Sequence, residues 1–304
     1  MFQILKNAFS SLQKKWPLVV LIYAVSFVLA FVVARPFYVT ILNEANNSIA
    51  LEQLLPKFDF MIFSDFMIQS GKAFRPFLPL IMILGVVYMA IQVFFAGGII
   101  GEAKAYSEKF DLNRFWANSS KNFFKYALFL IFQLIFLLCL IAFSGMFFFI
   151  FASIGEGGNE KDYFFAMLPP ILILLFFISF VIVLGDYARS MIFEDDNLKP
   201  WPAFWKSFGY IFKNMKTLVL FYFIILTGGL FSLLYLLLEN AFGMTSGFSI
   251  FIVFIFQQIL SFIRTFLKVL SQYITIPFLE KYPAPVRRIA PTENFDDENI
   301  VEEL

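Results

Sequence analysis

The stretch KPWPAFWKSFGYIFKNMKTLVLFYFIILTGGLFSLLYLLL, residues 199–238, decides the fold. On a helical wheel Trp201, Phe204, Trp205, Phe208, Ile211, Phe212 and Met215 fall on one side, and Lys199, Lys206 and Lys213 fall roughly opposite. A basic, aromatic amphipathic helix of this kind is suited to lie in a membrane surface, with Trp201 and Trp205 at headgroup depth. The apolar run behind it has the roughly 20 residues needed to cross a bilayer.

The same order of amphipathic stretch, apolar run and second apolar run occurs twice upstream. Overlaid without gaps, Leu5 matches Trp116 and Phe204, Leu12 matches Phe123 and Ile211, and Lys14 matches Lys125 and Lys213. Two explanations stand open. Each copy is an interfacial helix plus a transmembrane hairpin, giving three parallel repeats about an axis along the membrane normal, or basic linkers ahead of spans align by chance.

With 60% hydrophobic and 15% charged residues, the chain lies far from a soluble domain, which is about half apolar and a quarter charged. Apolar spans fall near 17–40, 77–100, 124–152, 164–185, 216–238 and 248–270. The expected class is an all-α polytopic membrane protein of six transmembrane helices with cytoplasmic interfacial helices. An outer-membrane barrel is excluded, because its strands alternate over about ten residues whereas these runs are continuously apolar. Of 23 Lys and Arg, only Arg35, Lys57, Lys72, Arg75 and Lys161 fall on the outer side when the N-terminus is placed inside. The positive-inside rule therefore puts both termini in the cytoplasm. The first run is too long for a signal-peptide core and is expected to be retained. Residues 1–282 form the transmembrane domain, and 283–304, rich in Asp and Glu, form an acidic cytoplasmic tail. Segment 41–75 is too apolar for a free loop and is expected to lie on the outer leaflet or cap the bundle.

Catalytic signals are missing. No His is present, which removes the usual general base and the commonest zinc ligand. The lone Cys139 lies in the third span and is assigned to packing. Phosphate-loop, dinucleotide and zinc-protease motifs are absent, and Asp195-Asp196 reads as a solvated linker. No enzymatic activity, cofactor, metal or nucleic-acid partner is expected. Gly97 and Gly101 form a G-x-x-x-G close-packing signal, and Gly228, Gly229 and Ser144-Gly145 are assigned to similar contacts. Asn46-Asn-Ser48 and Asn118-Ser-Ser120 match the glycosylation pattern, the second on the cytoplasmic side.

The sixth span carries the outstanding polar feature. Gln257, Ser261, Arg264, Lys268 and Gln272 follow at intervals of four, three, four and four and make one stripe. Arg264 falls within the hydrocarbon core, where a cation calls for a partner; Glu102 and Asp186, at the inner ends of their spans, are the expected acids. The stripe either lines a cavity or snorkels to the inner headgroups. Candidate lipid-headgroup contacts are Lys14, Arg114, Lys121, Lys125, Lys199, Lys206 and Lys213, with Trp116, Trp201 and Trp205.

Residues Ala96-Gly-Gly-Ile-Ile100, Gly185-Asp-Tyr-Ala-Arg189, Ala203-Phe-Trp-Lys-Ser-Phe208 and Lys213-Asn214 carry a resemblance. The chain resembles bacterial six-span inner-membrane proteins of the YciC type and the membrane domain ahead of some glycerophosphodiester phosphodiesterases. The resemblance implies fold and an inner-membrane location, and no site; the phosphodiesterase activity is not carried over, because these residues hold no such soluble domain. Two functions are expected from the whole: a non-enzymatic membrane protein that organises or handles lipid, anionic at the cytoplasmic face, or supports a membrane complex; or a transporter or channel-like protein whose path is lined by the sixth-span stripe.

Overall fold

The computed structural model describes residues 2–45, 59–155, 158–242, 244 and 246–283. Among these no strand occurs. Ten helices follow in order: α1 (Phe2–Lys14), α2 (Trp16–Ala45), α3 (Phe60–Phe74), α4 (Phe77–Lys104), α5 (Leu112–Gly155), α6 (Glu160–Glu194), α7 (Pro200–Lys213), α8 (Lys216–Phe242), α9 (Gly247–Tyr273) and α10 (Thr275–Lys281). Helices α2, α4, α5, α6, α8 and α9 are long and apolar enough to span. The molecule is an all-α polytopic membrane protein. Between 6 and 33% of each span's most apolar window is buried inside the protein, so lipid is the main neighbour of these side chains.

The spans pair as hairpins α2/α4, α5/α6 and α8/α9. Their ends converge on one face, where Lys15 meets Glu102, Lys121 meets Asp196 and Ser190 meets Thr275. This is the basic face. It gathers the starts of α2, α5 and α8 and the ends of α4, α6 and α9, so both ends of the described chain lie there. The acidic tail beyond Pro283, Asn46-Asn-Ser48 and residues 46–58 of the outer segment lie outside the described residues. Of the rest of that segment, 41–45 end α2 and Phe60–Phe74 form α3, capped by the Asp59 carboxylate accepting from the Met61 and Ile62 amides. Its Phe74 packs on Phe37 at the end opposite the basic face, while Met61 and Ile68 stay exposed.

Burial is strongly one-sided. In α4 the buried run is Val93 to Ala103, whereas Leu78, Met82 and Val86 are exposed. In α8 the buried residues are Thr217, Leu218, Leu220 and Ile224, and Leu226, Leu230, Leu233 and Leu237 are exposed. Burial in these two helices is thus concentrated toward the basic face, while contacts such as Ser179 with Tyr222 continue above it.

The three leader stretches differ in how they join their spans. A turn at Lys15 separates α1 from α2, and Pro17, lacking an N–H, cannot extend the hydrogen-bond ladder of α1. Asn214 leaves helical geometry between α7 and α8, its side chain capping the Tyr210 carbonyl. The second leader is not a separate interfacial helix as the overlay suggested. Residues 112–127 contain neither Gly nor Pro, and α5 runs unbroken for 44 residues.

Candidate functional site

Helix α7 presents three sectors roughly 120° apart, where the sequence wheel suggested two. Ala203, Phe204, Ser207, Tyr210 and Ile211 are buried against the bundle. Trp201, Trp205 and Phe212 are exposed and make an external ladder: Trp201 to Trp205 at 5.8 Å, Trp205 to Phe208 at 5.9 Å, Phe208 to Phe212 at 4.9 Å. Lys199, Lys206 and Lys213 form the third sector, exposed. Phe204 and Ile211 therefore leave the lipid-facing group: Phe204 packs on Phe136 of α5 at 5.0 Å. Helix α1 repeats the scheme, with Ile4, Ala8, Ser11 and Leu12 buried and Phe2 and Phe9 exposed. Lys14 is exposed.

Several expected headgroup contacts are engaged within the protein instead. Arg114 donates to Glu102 at 2.7 and 3.0 Å and also pairs with Glu108. Lys121 donates to the Asp196 carboxylate at 2.6 Å and Lys125 to the Asp196 carbonyl at 2.7 Å. The Lys121 ammonium holds the Asp196 carboxyl below the usual carboxylate range. Trp116 remains partly exposed and stacks near Phe94 at 5.6 Å.

The basic face is locked by a charge cluster that the sequence did not reveal. Lys15 is fully buried and donates to Glu102 Oε2 at 2.9 Å, the Glu102 carbonyl at 2.8 Å and the Ala105 carbonyl at 2.7 Å. Burial pushes the Lys15 ammonium below its ordinary value, opposed by the Glu102 hydrogen bond and charge. Tyr273 of α9 donates to the same Glu102 carbonyl and shares a hydrogen bond with Ser11. One signal could have exposed Lys15: it falls on the wheel face of Ile4, Ala8 and Leu12, whereas Lys14 does not.

Glycines make the helix contact beneath this cluster. A Cβ on Gly97 would lie 2.7 Å from the Asn118 carbonyl oxygen, and one on Gly101 would collide with the Asn118 side chain. The G-x-x-x-G is a packing surface as expected, and Asn118 is spent on it. The same test finds nothing within 4 Å of Gly145 or Gly229, so these are not the helix contacts expected of them. Gly228 has only an ordinary contact with Leu267, and Ser144 bonds its own helix at Ile141. Cys139 is exposed rather than packed.

Two copies of the leader-hairpin unit share one corresponding bond. In the overlay Lys15 matches Tyr126; at the other end of the hairpin Gly101-Glu102 matches Gly185-Asp186, so Ala105 matches Arg189. Lys15 donates to the Ala105 carbonyl, and Tyr126 donates to the Arg189 carbonyl at 2.9 Å. Glu102, Asp186 and, in the third hairpin, Gln272 are all buried at this level. The third copy places Asn214 where Lys15 stands, and its amide caps its own helix instead.

The predicted pairing of Arg264 with Glu102 or Asp186 is overturned. Glu102 is taken by Lys15 and Arg114, and Asp186 by Arg189 at 3.1 Å. Arg264 donates to Ser232 of the adjacent α8 at 2.8 Å, and Lys268 to Gln92 of α4 at 2.7 Å. Of the stripe, Gln257, Ser261, Arg264 and Lys268 are exposed and Gln272 is buried. The buried Gln272 Oε1 has no hydrogen-bond partner.

Above the locked face, α2 and α9 flank a groove of about 500 Å³. Its lining joins Phe27, Phe31, Ala30 and Phe254 with Ser26, Gln257, Gln258 and Ser261. Tyr23 donates to Gln258 at 2.7 Å at one edge. The wall is mostly apolar with a polar strip. Among the described residues no group of three acidic or Cys side chains could hold a metal.

Comparison with known proteins finds no matching family model, no matching curated protein and no matching solved structure.

Proposed function

We propose that this protein handles lipid without enzymatic chemistry, admitting a phospholipid sideways into the groove between α2 and α9. The observation that carries this reading is the mixed lining of the groove, where acyl chains meet Phe27, Phe31 and Phe254 and the ester region meets Ser26, Gln257 and Ser261. The external aromatic and Lys sectors of α7 support it, since they suit contact with an anionic leaflet on the basic side. Full-length protein reconstituted with a phospholipid bearing a photoactivatable acyl chain should crosslink mainly in α2 and α9. Ala30→Trp, which fills the groove, should remove those crosslinks. Crosslinks spread evenly over all six spans in both proteins would defeat the idea.

The reach of the groove to Gln257 favours one second reading, transport of a water-soluble solute, which would show as flux across vesicles and no focused lipid crosslinking. We further propose a bacterial cytoplasmic-membrane setting, within the YciC-type group, with the basic face in the cytoplasm, on the strength of the Lys and Arg asymmetry. In a Cys139→Ser background, a cysteine at Asn197 should resist an impermeant thiol reagent added to intact cells, and one at Asn159 should react. The opposite pattern inverts the protein.

A further inference from the structure

We propose that Arg264 and Lys268 are phosphate contacts for an anionic phospholipid, so that the cationic stripe of α9 sets the headgroup class of the lipid in the groove. The proposal rests on the lipid-handling reading and narrows it to a substrate class.

Both cations are exposed, and among the described residues neither has a carboxylate within 4 Å. Their partners are neutral. Ser232 accepts from Arg264 at 2.8 Å; Gln92 accepts from Lys268 at 2.7 Å, and the Lys268 ammonium lies 5.5 Å from the centre of the Tyr88 ring. Asp186 feels the charge of Lys268 but is bonded to Arg189. A neutral acceptor aims a cation without cancelling it. Elsewhere in the molecule the opposite choice is made: Lys15, Arg114 and Arg189 each carry a carboxylate.

A cation without an ion pair on a transmembrane helix is costly and calls for an anion. The anion that a bilayer supplies is lipid phosphate. Position agrees with this occupant. Counting 1.5 Å per residue, Arg264 lies about 10 Å and Lys268 about 17 Å from Gln257 toward the basic face. A lipid with its tails against Phe27 and Phe254 thus has a polar strip at Gln257 and Ser261, then two cations in succession. The guanidinium keeps donors free beyond the one given to Ser232, enough for a charge-assisted contact with phosphate oxygens.

The test compares lipids retained by the purified full-length protein from nanodiscs holding equal phosphatidylglycerol and phosphatidylcholine. The wild type should retain phosphatidylglycerol in several-fold excess, and R264Q/K268Q should retain the two lipids equally. K72Q/K161Q, which removes two exposed charges at the other end, should behave as wild type, and R264K should keep most of the preference. Absence of preference in the wild type, or full preference in R264Q/K268Q, overturns the assignment. So does abolition of the preference by millimolar inorganic phosphate, which would mark a site for a free anion. Photo-crosslinking of phosphatidylcholine separates the two levels: groove crosslinks without anionic preference refute only the headgroup assignment, and loss of groove crosslinks refutes lipid entry itself.

Discussion

The two ends of α4 belong to different kinds of structure. Near the basic face Gly97, Gly98 and Gly101 lie against α5, and Glu102 is buried between Lys15 and Arg114; about 18 Å along the helix from Gly97, Gly85 has nothing within 4 Å and Met82 faces outward. The exposed half, Phe77 to Ala90, is the more apolar of the two, and Gln92, Glu102 and Lys104 fall in the half that packs, so hydrophobicity is not what draws the helices together. In a bilayer apolar side chains gain little by leaving lipid for protein, and helices adhere where small residues and paired polar groups let them. Adhesion is therefore localised, and the open half is what leaves room for the groove.

The harshest way to break this contrast is Glu102→Ala. It strands the fully buried Lys15 ammonium with only carbonyl acceptors, and removal of one partner of a buried pair costs about 3–5 kcal/mol. Thermal unfolding in detergent should show a large drop, while Arg35→Ala in the open half leaves the midpoint unchanged within error. A smaller contrast comes from the glycines. Gly97→Ala drives a methyl into the Asn118 carbonyl and should cost about 1–3 kcal/mol, whereas Gly85→Ala meets open space and should gain up to about 1 kcal/mol from helix propensity. Equal responses at the two glycines would mean that the halves pack alike.

The smallest effect concerns the exposed Lys121–Asp196 latch between α5 and the α6–α7 linker. Because the carboxyl is held below its ordinary value, the folded state binds this proton less readily than the unfolded chain. Its contribution is full at neutral pH and is lost as pH falls through that depressed value. Hydrogen exchange in residues 195–199 should rise only at acid below the usual Asp range of about 3.9, and Lys121→Gln should move that onset upward toward it.

The six spans were legible because length and apolarity alone define a bilayer crossing, and each helix lies within about five residues of its expected ends except the start of α5, twelve residues early, and the end of α6, nine residues late. The inward face of α7 was not legible: Phe204 and Ile211 are as content against lipid as against Phe136, so a wheel built on polarity cannot tell the two neighbours apart. The stripe on α9 was visible from its spacing, but spacing names a face and not what stands opposite. Ser232 lies across the hairpin from Arg264, and the two acids proposed for it had nearer cations in Lys15 and Arg189. Lys15 itself was hidden by its neighbour, since a Lys-Lys pair before a span looks like an ordinary surface anchor.

The unbroken α5 is a single rod from the basic face through its span. Its 44 residues span about 66 Å, more than twice a hydrocarbon core of about 30 Å. A rod of that length tilting by about 5° around its middle swings each tip by about 3 Å. The Asn118 contact with the α4 glycines and the Lys121 bond to Asp196 both lie on this one helix, so the direction of the span and the packing of the basic face are set by the same element.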